Sequence, residues 1–207
     1  MSEISENDRE DDSTDSAVLT LPVGDRDHLQ GPADAPLTLV EYGDYECPHC
    51  GRAFPVLEDI RLVMGEDLRL VFRHYQITLS HSHAQLAAEA AEAAGAQGRF
   101  WQMHAKLFIN QDALDRPSLE RYAIEIGLDV PRFHMELATG AYQERVLSDI
   151  ESGEESGVHW TPTFFINGGR FGYGASLDGL LEALRTAAAE AIRPARRGVT
   201  LPRGVPR

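Results

Sequence analysis

Only two cysteines occur in the 207 residues, and they stand three positions apart in Cys47-Pro48-His49-Cys50. Two cysteines exclude a disulfide-dense scaffold and a four-cysteine zinc site. The context of the pair constrains the fold further. Segment 37–42, LTLVEY, is apolar and bounded by Pro36 and Gly43, which predicts a buried strand. From Pro48 onward, Ala53, Val56, Leu57, Ile60, Val63 and Met64 follow helical spacing, and Gly65 supplies a stop. Pro55 lies inside that helix and predicts a kink, because it lacks an N–H and crowds the carbonyl of Gly51. Segment 68–75, LRLVFRHY, predicts a second strand. Strand, helix and strand in so short a span form a βαβ unit, with parallel strands and a right-handed crossover.

The next stretch carries no strand pattern. Helices are expected near 83–94, 99–109, 118–126, 131–138 and 142–152, with Gly95 and Gly127 as stops and Asp129 as a start. Phe100, Trp101, Leu107 and Phe108 fit helix core packing. The period then changes. Thr163–Ile166 is an apolar run, Asn167-Gly168 is a strong hairpin signal, and 169–172 supplies the return strand. Ser176 caps a last helix with Leu177, Leu180, Leu181 and Leu184 on one face. The order predicts an α/β fold: a small mixed sheet, helices on its faces, and a helical insertion over about 82–155.

Nineteen Lys and Arg against 33 Asp and Glu give −14, which opposes general nucleic-acid binding. Residues 1–16 carry −6 and 193–207 carry +5, and both ends are poor in large apolar side chains. They are expected to be disordered tails around a domain spanning 17–192. No stretch is long and apolar enough to span a membrane, and the acidic start is unlike a signal peptide, so a cytoplasmic address is expected.

The chemistry lies at the first turn of the Pro48 helix. A thiol at a helix N-terminus meets free backbone N–H groups and the positive end of the dipole, which favour a thiolate. The second thiol follows within reach of a disulfide, so the arrangement reads as a redox motif. His49 is placed to favour the thiolate further, by a hydrogen bond or by charge. Asp44 and Glu46 oppose it with negative charge. Two other readings stand beside this one: a zinc site completed by His81 and His83, and an inert pair of core thiols. His28, His74, His104, His134 and His159 share no metal-ligand spacing.

Residues 31–50, GPADAPLTLVEYGDYECPHC, together with 160–168, WTPTFFING, resemble the DsbA-like family of thioredoxin-fold disulfide oxidoreductases. The resemblance runs from about Leu29 to about Ala191 and includes the helical block, inserted in that family between the two halves of a thioredoxin fold. It implies thiol–disulfide exchange with protein or peptide thiols through the Cys47–Cys50 pair, with no metal or organic cofactor. Cys47 of the CPHC motif, with Pro48 and His49 beside it, matches the nucleophile, and Cys50 the more buried resolving thiol. Pro162 matches the family's cis-proline and Thr161 the residue before it, both on the substrate side; base rates alone would favour trans. Glu41 matches a buried acid able to relay a proton to Cys50. Arg73 matches a basic residue accompanying that acid, or else pairs with a surface acid. Trp160 replaces a small residue of many relatives and either walls the peptide groove or is simply packed. The partners implied are protein or peptide thiols and a separate redox partner, with no nucleic acid and no membrane. The direction of exchange and the oligomeric state stay open, as does a zinc- or peptide-binding module without turnover.

Overall fold

In the computed structural model, residues 17–77, 80–172 and 177–192 are described. Both expected tails, and the expected cap at Ser176, lie outside them. The elements in chain order are β1 (His28–Gln30), β2 (Leu37–Gly43), α1 (Pro48–Met64), β3 (Leu68–His74), α2 (Ala84–Gly95), α3 (Phe100–Ile109), α4 (Arg116–Glu125), α5 (Val130–Thr139), α6 (Gln143–Glu155), β4 (Thr163–Ile166), β5 (Gly169–Arg170) and α7 (Leu177–Ile192). A short 3-10 turn, Gly65–Asp67, joins α1 to β3.

The five strands form one sheet in the order β1-β3-β2-β4-β5. β2 and β3 are parallel, as the βαβ pattern requires, and the other pairings are antiparallel. Parity along β2 and β3 decides the two faces. Leu37, Leu39, Leu68 and Leu70 pack with Phe164 against α1 and α7. Val40, Tyr42 and Val71 pack with Phe165 and Val158 on the opposite face. Glu41 therefore shares the α1 face with the leucines, whereas Arg73, paired in register with Tyr42, belongs to the other.

The helical insertion occupies α2 to α6, and its core is continuous with Tyr45, Cys47, Cys50 and Phe72 of the sheet half. The alanines of α2 let it sit close to its neighbours, and Met103, Leu107, Leu119 and Phe133 fill the centre. Side-chain caps start two of its helices: Asp115 accepts from the Ser118 N–H and Asp129 from the Arg132 N–H.

Two features differ from what the sequence patterns predict. β1 carries only three residues, too few for a periodicity signal, and is held by its pairing to β3. The return strand of the hairpin stops at Arg170 rather than continuing to 172. Its outer edge meets the segment that precedes β1, where Val18 bridges Gly169 and the Leu19 N–H reaches the Gly168 carbonyl. Helix α1 runs from Pro48 to Met64 with Pro55 inside it.

Candidate active site

The turn after β2 delivers both thiols to α1. Cys47 is the N-cap residue, with extended backbone angles, and Pro48 occupies the first turn, where a missing N–H costs nothing. Cys50, one turn on, is fully buried. Both are free thiols in this structure. Cys47 lines a cavity of about 430 Å³ together with Pro48, His49, Ile77, Ser80, His81, Trp160 and Thr161. The Thr161–Pro162 peptide bond is cis. The Thr161 carbonyl accepts the Cys47 thiol at 3.4 Å.

The two thiols are driven in opposite directions. Cys47 is pulled down to about 5, first by the hydrogen bond from the Cys50 thiol, then by the Thr161 hydroxyl and the Cys50 and His49 backbone N–H groups, all against burial. The Thr161 hydroxyl is buried and has no other partner, so its proton can turn to a thiolate. Cys50 is pushed well above the usual thiol range by burial, then by its bond to Cys47 and the nearby charges of Glu41 and Cys47. Glu41 itself is raised to about 8 by burial and by the Cys47 charge, and its Oε1 has no hydrogen-bond partner.

Several expected roles are corrected. The His49 side chain is exposed and its Nδ1 accepts from Arg52 at 2.9 Å, so His49 acts on Cys47 through its backbone N–H rather than its ring. Asp44 and Glu46 are not bare charges opposing the thiolate. Asp44 is buried, bonded to His81 Nδ1 at 2.6 Å and to the Ile77 and Glu46 N–H groups. Glu46 takes the His83 N–H at 2.7 Å. His81 and His83 are thereby held by carboxylates, and among the described residues the two cysteines belong to no metal-ligand cluster. The zinc set of Cys47, Cys50, His81 and His83 is not assembled. Arg73 does not accompany Glu41 and does not pair with a surface acid. It is fully buried on the opposite sheet face, paired to Asp27 through two bonds and to the Tyr42 hydroxyl. Trp160 walls the cavity and is half-buried, with the Arg170 guanidinium over its ring at 4.5 Å.

Two contributors were invisible in the sequence. Gln111, from the loop after α3, donates through Nε2 to the carbonyls of Tyr45 and Cys47 at 2.8 and 2.9 Å. A Cβ at position 51 would meet its Oε1 at 1.9 Å, so Gly51 makes room for it. Tyr45 stacks on Phe72 and pairs its hydroxyl with His104, joining the thiol turn to the insertion. Among the described residues the candidate metal group is His74, Glu92 and Asp149, which includes neither cysteine. Its carboxylates already meet cations: Asp149 holds Arg26 and Arg145 at 2.6 Å.

A thioredoxin family profile matches residues 24–186. The chain belongs to the thioredoxin family. Its fold is that of the DsbA-like oxidoreductases. BdbD of Bacillus subtilis superposes with a TM-score of 0.72 at 25% identity, over 84% of this chain and 99% of that one. The α-DsbA1 of Wolbachia pipientis gives 0.72 at 21% identity, over 86% and 98%. Among curated proteins, the Na(+)/H(+) antiporter NhaA 3 of Salinispora tropica is 45% identical over 178 residues, 85% of this chain and 27% of that one. The chain thus spans about a quarter of the length of that relative. Among the described residues no helix is long and apolar enough to cross a membrane.

Proposed function

We propose that this DsbA-like chain exchanges disulfides with protein or peptide thiols through Cys47 and Cys50. The observation that carries the reading is the asymmetry of the pair: a low-pKa thiol lining a largely apolar cavity, and a high-pKa, fully buried thiol that does not line it. Cys47, which lines the cavity, is the thiolate at neutral pH and is the nucleophile. In the reducing direction, Cys47 Sγ bonds to one substrate sulfur while the substrate S–S bond breaks and the departing sulfur takes the electron pair. Cys50 then gives up its proton and attacks Cys47 Sγ, which releases the second substrate sulfur and leaves a Cys47–Cys50 disulfide. Glu41, on the same sheet face with a pKa of about 8, is the proposed acceptor of the Cys50 proton. Oxidation of a dithiol substrate is the same sequence reversed, and a separate dithiol or disulfide partner resets the pair.

Thr161, Pro162 and Trp160 form the proposed substrate side. An extended peptide in the cavity lies against the Thr161 backbone, with Trp160 and Ile77 as apolar walls. Ion transport is not part of the proposal. The segment shared with the antiporter relative is most of this chain, and these residues build a thioredoxin fold.

The test is trapping. Cys50→Ala should accumulate mixed disulfides with a substrate peptide, because the resolving attack is lost, and Cys47→Ala should abolish exchange. A Cys47→Ala protein that reduced or oxidised a peptide disulfide at the parent rate would refute the assignment.

A further inference from the structure

His81 comes from the loop between β3 and α2, and nothing in the exchange mechanism above uses it. It lines the same cavity as Cys47. Its Nδ1 is bonded to Asp44 Oδ2 at 2.6 Å, and Asp44 is fixed in turn by the backbone N–H groups of Ile77 and Glu46. Among the described residues its Nε2 has no hydrogen-bond partner. A buried carboxylate on one nitrogen fixes ring orientation and tautomer, and leaves the other nitrogen to carry a proton. Carboxylate, imidazole and low-pKa thiol thus converge on one cavity that a substrate disulfide must enter.

We propose that His81 is the acid–base residue of thiol–disulfide exchange in this cavity, oriented by Asp44 and serving the substrate sulfur rather than Cys47. The inference rests on the oxidoreductase reading and deepens it. As Cys47 Sγ bonds to the near substrate sulfur, the substrate S–S bond breaks and its electron pair passes to the far sulfur. His81 Nε2 gives that sulfur a proton, and the neutral imidazole recovers one from water. In the oxidising direction His81 takes the proton from a substrate thiol as that thiol attacks Cys47 of the disulfide. The charges facing the ring suit this use. Burial pulls the His81 pKa down, but the bond and charge of Asp44, with the charges of Cys47 and Glu46, raise it above its ordinary 6.5. His49 is the other imidazole on the cavity wall, and its Nδ1 is taken by Arg52.

The experiment compares two disulfides with different leaving thiols, reacting with the reduced protein. Oxidised glutathione releases a weakly acidic thiol that needs a proton, and dithiobis-nitrobenzoate releases a strongly acidic one that does not. His81→Gln should slow the glutathione reaction by roughly 100-fold, the lower end for a lost general acid. It should slow the aromatic reaction by less than about 3-fold, since that thiolate leaves unaided. His81→Ala should show the same split, with added imidazole restoring the glutathione rate. For the parent, the glutathione rate should rise as Cys47 ionises near its pKa of about 5 and fall as His81 loses its proton above 6.5, and His81→Gln should lack the falling limb. Equal slowing on both disulfides, or parent rates on both, overturns the role of His81 and leaves the oxidoreductase reading standing. A parent protein that reacts with neither disulfide overturns both.

Discussion

Replacing Glu41 by Gln removes one ionisable group from the sheet face behind Cys50 and should make the protein more stable at neutral pH. Glu41 is raised from 4.5 to about 8 by burial, and secondarily by Cys47. That displacement is worth about 5 kcal/mol between the two protonation states. Its sign follows from linkage. A carboxyl whose folded pKa is raised has its full stabilising effect below the unfolded value of 4.5 and loses it as pH rises through about 8. At pH 7 an unfolded chain has ionised this group while the folded chain still holds it neutral, so about 3 kcal/mol opposes folding. Glutamine keeps the volume and never ionises. The stability advantage of Glu41→Gln should therefore grow by about 1.4 kcal/mol per pH unit across this window and level off above about 8. Urea denaturation of both reduced proteins at a series of pH values measures it, and comparing the pair removes the titrations the two proteins share. A difference that stays constant from pH 5 to 8 would show that the carboxyl titrates normally. The desolvated environment assigned to it here would then be wrong, and with it the proton transfer from Cys50.

Two further outcomes are expected. Alkylation of reduced protein by iodoacetamide should reach half its limiting rate near pH 5, and Cys50→Ala should move that midpoint upward, because the Cys50 thiol is the largest stabiliser of the Cys47 thiolate; a parent midpoint near 9 would contradict the site geometry. Asp27→Ala should cost about 3–5 kcal/mol in denaturant unfolding, because it leaves the fully buried Arg73 cation without its carboxylate; a loss below about 1 kcal/mol, the range of exposed ion pairs, would contradict it.

The parts legible in the sequence were those carried by local periodicity and local chemistry. The LTLVEY and LRLVFRH strands, the five helices of the insertion and the Asn167-Gly168 turn all lie close to where their patterns place them. The Cys47 position at a helix start was equally local, since N-cap geometry is set within one turn. β1 escaped because three residues make no period, and their strand state comes from β3 beside them. Arg73 was misread for a similar reason. Its partner depends on which face of β3 it occupies, and only the pairing of β3 with β2 brings Arg73 level with Tyr42 and turns it toward Asp27.

The sequence by itself determined that a CPHC pair would sit between a buried strand and a helix, in a mixed sheet interrupted by helices. Tertiary structure alone decided what surrounds the pair. Asp44 and Glu46 read as charges against the thiolate until the β3–α2 loop brought His81 and His83 onto them. Gln111 reaches the Cys47 carbonyl across 64 positions of chain. Glu41 is raised because the packed sheet strips it of water. Burial, partner choice and pKa depend on distance in space, and a thioredoxin fold folds widely separated segments onto one another, so no window of sequence around the cysteines contains that information.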